Sequence, residues 1–159
     1  MKKIIKNFYS LKKFEKLIIL FGFLGLFPFI FGLIDLWINY PNLYFYTNIT
    51  KNYAVVILTF LGAVYWGVIL NSRDIKTLSE KVKVLTIIWS IIPSFFGIII
   101  LTIENKFSLI ILSLGFFFLH IIDEIYYNLL FFPKWYILLR RALSTIVIII
   151  LIIAYSIIS

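Results

Sequence analysis

Five apolar runs, each long enough to cross a bilayer, follow one another with only short polar breaks between them. A spanning helix needs roughly 20 mostly apolar residues, because the hydrocarbon core offers backbone N–H and C=O groups no partner outside the helix itself. The runs read as spans at about 17–38, 53–71, 84–103, 107–127 and 142–158. The chain is therefore expected to be an all-α membrane protein, a five-helix transmembrane bundle. Its 159 residues leave no room for a second globular domain, so 17–159 reads as one polytopic membrane domain behind a basic segment, 1–16. Hydrophobic residues make up 63% of the chain, whereas a soluble domain carries ~45–50%.

The net charge of +8 would suggest nucleic acid in a soluble protein. Here the cations flank apolar runs, so orientation and anionic headgroups account for them, and no nucleic-acid partner is expected. Of the fifteen Lys and Arg, six lie in 1–16, four in 72–83 and three in 128–141; only Lys51 and Lys106 fall on the other side. That bias expects the N-terminus inside and, with an odd number of spans, the C-terminus outside. The chain has no Cys, which excludes disulfides and thiolate chemistry.

The first span carries Pro28, expected to kink its middle by removing a backbone donor. Asp35, near its far end, is expected to reach the interface or Lys51. Tyr40, Tyr44, Tyr46 and Tyr53 suit a headgroup belt, where a ring is half buried and its hydroxyl stays wet. In the second span, Thr59, Gly62, Ala63, Trp66, Gly67 and Leu70 share a stripe at helical spacing, expected to face other helices, with Ile57, Phe60 and Leu61 toward lipid. In the third, Thr86, Ser90, Pro93, Ser94 and Gly97 form a similar stripe, flanked by Trp89, with hydroxyls expected to bond across helices. The short turn Glu104–Lys106 makes the third and fourth spans antiparallel neighbours. The aromatic and basic stretch up to Arg141 reads as an interfacial elbow before the last span.

Counting depth along this topology puts Trp66, Gly67, Trp89, Ser90, His120, Asp123, Glu124, Arg140 and Arg141 in one polar layer near the inner interface. A carboxylate at the bilayer centre costs about 2.5–3.5 kcal/mol, so Asp123 and Glu124 are expected to find Arg140 or Arg141. His120, at helical spacing to both acids, also suits a proton relay or a general base. As the sole histidine in a chain without Cys, it brings too few ligands for a metal site, and no phosphate loop or nucleophile elbow is present. No cofactor is expected.

Four blocks carry a family resemblance: LGLFPF at 24–29, YAVVILTFLGAVYWG at 53–67, WSIIPS at 89–94 and PKWYILLRRALS at 133–144. Their order and spacing resemble the uncharacterised integral membrane family of transmembrane protein 69, domain of unknown function 3429, found in bacteria and mitochondria. The resemblance implies a bacterial cytoplasmic membrane or mitochondrial inner membrane protein, with Asp123 corresponding to an acid that closes the family's fourth span. Ile122 before it and Glu124 after it depart from the family's pattern. The resemblance implies no activity, cofactor or catalytic residue.

Three functions fit these residues. The first is an accessory or assembly subunit acting through helix–helix contacts, with a membrane-protein partner or a second copy. The second is a small transporter or proton conductor using the inner polar cluster. The third is a lipid-modifying enzyme with His120 as base. A hydrated cavity reaching His120 would favour the second or third, and a dry bundle the first.

Overall fold

The computed structural model describes residues 11–39, 49–71 and 78–158. Apart from short turns these residues form helices: α1 (Lys13–Leu24), α2 (Phe27–Asn39), α3 (Lys51–Asn71), α4 (Glu80–Leu101), α5 (Phe107–Leu129) and α6 (Lys134–Ile158). Helices α1 and α2 together make one membrane-length segment, and α3 to α6 supply four more, so the protein is an all-helical, multi-pass membrane protein. Residues 1–10, the belt tyrosines Tyr40, Tyr44 and Tyr46, and the loop residues 72–77 lie outside the described residues.

The first span is interrupted. Its break falls at Gly25–Leu26, ahead of Pro28, which occupies the first turn of α2 where a missing N–H costs nothing. The N–H of Leu26 donates to Phe23 O at 3.0 Å, a tightened closing turn, and Tyr53 takes up a carbonyl at the break. Its hydroxyl donates to Gly25 O at 3.0 Å while its ring stands edge-on to Phe29 at 5.3 Å. The belt expectation for Tyr53 is corrected accordingly: an unpaired carbonyl inside the bundle is a stronger attraction for the hydroxyl than the headgroup region. Tyr53→Phe should lower unfolding free energy by about 1 kcal/mol in detergent titration. An unchanged value would mean that Gly25 O does not depend on Tyr53.

The last helix also starts earlier than expected. Pro133 initiates α6 directly, so Arg140 and Arg141 lie in its second turn and the interfacial elbow shrinks to the turn 130–133. Phe131 holds that turn in the left-handed region, φ 54°, and Phe132 N–H donates back to Tyr127 O at 3.2 Å, the pattern of a Schellman helix end. The tightness of this turn sets the register of α5 against α6.

Two antiparallel hairpins, α3–α4 and α5–α6, make the most extensive contacts; α3 and α4 meet α5, while α1 and α2 lie along α6. The shared core includes Phe29, Leu58, Ile100, Leu112, Phe116 and Leu151. Helices α3 and α4 approach closely at Gly62, where an added Cβ would lie 2.7 Å from Pro93 Cγ and 3.0 Å from Ser90 O. The hydroxyls do not tie the hairpin together as expected. Thr86 donates to Val82 O at 2.8 Å and Ser90 to Ile87 O at 2.6 Å, each within its own helix, because that carbonyl is always in reach. Asp35 likewise pairs locally, accepting from Asn39 Nδ2 at 2.8 Å, while buried Lys51 donates to Ile103 O at 2.9 Å just past the end of α4. A cation there suits the negative end of the helix dipole.

Candidate functional site

Tyr65, Asp123 and Arg140 each lie six residues from the same membrane-side end of their helices, which end at Asn71, Leu129 and Lys134. At 1.5 Å per residue that places all three about 9 Å inside. Adjacent hairpins bring them together there. Arg140 Nε donates to Asp123 Oδ2 at 2.7 Å and Arg140 Nη2 meets Oδ1 at 2.7 Å, a fork-to-fork pair. The Tyr65 hydroxyl donates to the same Oδ1. The two charged side chains are only 4% and 1% exposed. Each carboxylate oxygen is thus met by a donor, and the carboxylate charge is met by a cation.

The guanidinium has further partners. Nη1 and Nη2 each lie 3.4 Å from Leu61 O, and Nη1 lies 3.4 Å from the Tyr136 hydroxyl oxygen. Its carbon stands 5.7 Å from the Tyr65 ring centroid and 5.8 Å from that of Tyr136, within cation–π range. Through one charge pair the chain links α3, α5 and α6.

One residue further along each helix, Arg141 Nε and Nη2 donate to the two oxygens of Glu124. This second pair faces outward, with both side chains 39% exposed. The two pairs share a sequence separation of 17, so one tight turn sets both registers.

Among the described residues, His120 makes no hydrogen bond to either ion pair. Its Nδ1 is buried without a hydrogen-bond partner among the described residues, as are the indole nitrogens of Trp89 and Trp135. Among the described residues, no three His, Asp or Glu side chains converge as a metal site would need. Cavities of about 320 and 230 Å³ lie among the helices, both lined almost wholly by apolar side chains, and His120 lines neither.

The expected packing stripes divide in two. Gly62, Ser90 and Pro93 are buried at the α3–α4 contact, Ser94 is half buried, and Trp89 packs beside Tyr65. Trp66 is 44% exposed and an added Cβ at Gly67 would meet nothing within 4 Å among the described residues. The inward face of α3 instead runs through Ala54, Leu58, Gly62 and Tyr65. The stripe is rotated because Tyr65 carries the polar partner of Asp123 and so takes the inward position that Trp66 was expected to hold. Sequence spacing puts Tyr65 three residues after Gly62, but its hydroxyl became significant only with Asp123 opposite it.

The protein-family comparison covers nearly this whole assembly. The family described as "Protein of unknown function (DUF3429)" matches residues 14–156. The chain belongs to that family. The DUF3429 match reaches into every helix and includes all residues of both ion pairs. No curated protein and no solved structure matches the chain.

Proposed function

We propose that this DUF3429 protein is an accessory or assembly subunit of a membrane complex, acting through helix–helix contacts. The observation that carries this reading is the outward surface of α3, where Ala63, Trp66, Gly67 and Leu70 form a small-and-aromatic patch on a helix whose opposite face is already packed. Such a surface lets another helix approach closely, with an indole to cover the contact. The polar chemistry points the same way: Asp123 and Arg140 are committed to one another, and the described cavities are apolar and do not reach His120. The bias of Lys and Arg supports an N-terminus inside, in a bacterial cytoplasmic membrane or a mitochondrial inner membrane.

Photoreactive residues at Trp66 and Leu70, activated in native membranes, should capture a membrane protein of discrete mass. The same probe at Phe95, exposed on α4, should capture lipid alone. Lipid adducts from all three positions would remove the reading.

A further inference from the structure

The larger cavity is a half-open groove of about 320 Å³ between α1–α2, α3 and α6. That is within the size range of small-molecule sites, which are mostly apolar with a few convergent polar groups. One wall is a single face of α6 that runs from Tyr136 to Val147. On the opposite wall Gly22 and Gly25 bring no side chain, and the exposed rings of Phe21 and Phe60 form the lips.

Two polar groups on the α6 wall are not fully used by the fold. Ser144 is 3% exposed and lines the groove, yet among the described residues its hydroxyl makes no hydrogen bond. The hydroxyls of Thr86, Ser90 and Ser113, by contrast, turn back to a carbonyl of their own helix. One turn before Ser144, Arg140 lines the same groove. Its Nε and Nη2 hold Asp123, whereas Nη1 has Leu61 O and the Tyr136 hydroxyl oxygen at 3.4 Å each. Those contacts are longer than the ~2.7–3.2 Å of an ordinary N–H···O bond, and Leu61 and Tyr136 are themselves groove residues. Nη1 therefore keeps donor capacity beside the groove.

The chemistry of these donors selects the occupant. Arg140 and Asp123 neutralise one another, so a charged ligand would strand an unpaired ion among apolar side chains. A guanidinium only donates and a serine hydroxyl can donate, so an uncharged ligand with two acceptors satisfies both. The donors stand one turn apart on one helix face, ~5.4 Å along the axis, and the two carbonyl oxygens of a para-quinone face outward across one six-membered ring at about that separation. A sterol hydroxyl or a single ester carbonyl serves one donor and leaves the other. The lips lie at the same level: Leu61, next to Phe60, has its carbonyl beside Arg140, and Gly22, next to Phe21, packs on Leu139 and Leu143. Both rings can therefore stack on a flat aromatic-sized head. We propose that the groove binds an uncharged para-quinone, with one carbonyl oxygen accepting from Arg140 Nη1, the other from the Ser144 hydroxyl, and the apolar tail along the Phe29 and Val147 end.

The test measures how a decyl-substituted para-benzoquinone partitions between phosphatidylcholine nanodiscs that hold the full chain and empty ones. The wild type should retain an excess that saturates at one quinone per chain, and decylbenzene, with the same tail and no oxygen, should show no such excess. Ser144→Ala and Phe60→Ala should each weaken retention about fivefold, the worth of one hydrogen bond or one aromatic contact. Ser113→Ala, which removes a buried α5 hydroxyl outside the groove, should leave retention unchanged. The infrared carbonyl band of the bound quinone should shift down from its position in empty nanodiscs, because accepting a hydrogen bond weakens the C=O bond. If Ser144→Ala does not fold, that band decides. An equal excess of decylbenzene, full retention in a folded Ser144→Ala protein, equal losses from Ser113→Ala and Ser144→Ala, or an unshifted carbonyl band would each overturn the proposal.

Discussion

Asp123→Asn should lower the free energy of unfolding by about 3–5 kcal/mol, the cost of leaving a buried ion without its counter-ion. The expectation rests on geometry: Arg140 is 4% exposed, and two of its nitrogens lie 2.7 Å from the carboxylate. Asparagine keeps one acceptor oxygen but no charge and turns an NH2 donor toward a site already filled with donors, so the buried guanidinium loses its counter-ion and one of its two short hydrogen bonds. Arg140→Met should cost a similar amount by the converse route, stranding the carboxylate. Tyr65→Phe, which removes one donor and leaves the pair intact, should cost about 1.5–3 kcal/mol, as for a hydrogen bond to a charged group. The combination Asp123→Leu with Arg140→Met should cost less than either single change, because the desolvation of both ions disappears with them. Denaturant titration in mixed micelles would measure the set. Single losses below about 1 kcal/mol would mean that water reaches the pair. The outer pair supplies the contrast: Glu124 and Arg141 are each 39% exposed, so Glu124→Gln should cost no more than about 1 kcal/mol.

The pairing of these acids with these arginines was legible before the fold was known, and the reason is dielectric. An acid in an apolar run has few places to go, and Arg140 and Arg141 are the cations that enter the next apolar run on the same side. Which acid took which arginine was not legible, because it depends on the rotation of α5 against α6, fixed by the turn at Phe131. Tyr65 was hidden for a related reason. A tyrosine in a span reads as another ring until the carboxylate that accepts its hydrogen bond is located on a different helix. Tyr53 was misplaced by the same gap in information, since Gly25 O becomes a partner only when α1 breaks beside it. Local signals showed where helices would form and that Pro28 would disturb the first. They did not show the rotation of α3, because small residues occur on both of its faces and the pattern alone does not say which face meets α4.

Gly62 and Gly67 convert that rotation into opposite expected signs. Gly62→Ala places a Cβ 2.7 Å from Pro93 Cγ and 3.0 Å from the backbone oxygen of Ser90. A proline ring and a main-chain atom cannot swing aside, so α3 and α4 must separate, at a cost of about 1–3 kcal/mol for overpacking. Gly62→Leu should cost more and disturb the Tyr65–Asp123 contact one turn away. At Gly67 an added Cβ meets nothing within 4 Å among the described residues, and Gly67→Ala should gain about 0.5–1 kcal/mol from reduced backbone freedom in the unfolded chain. Equal losses at the two positions would show that both glycines face packed helices and that the inward face of α3 is wider than Ala54, Leu58, Gly62 and Tyr65. The same pair separates folding from association. If the outward patch receives a partner helix, Gly67→Leu should leave the isolated protein as stable as Gly67→Ala does, yet abolish capture from a photoreactive Leu70. A stable Gly67→Leu protein that still captures the same partner would place that contact elsewhere on the bundle.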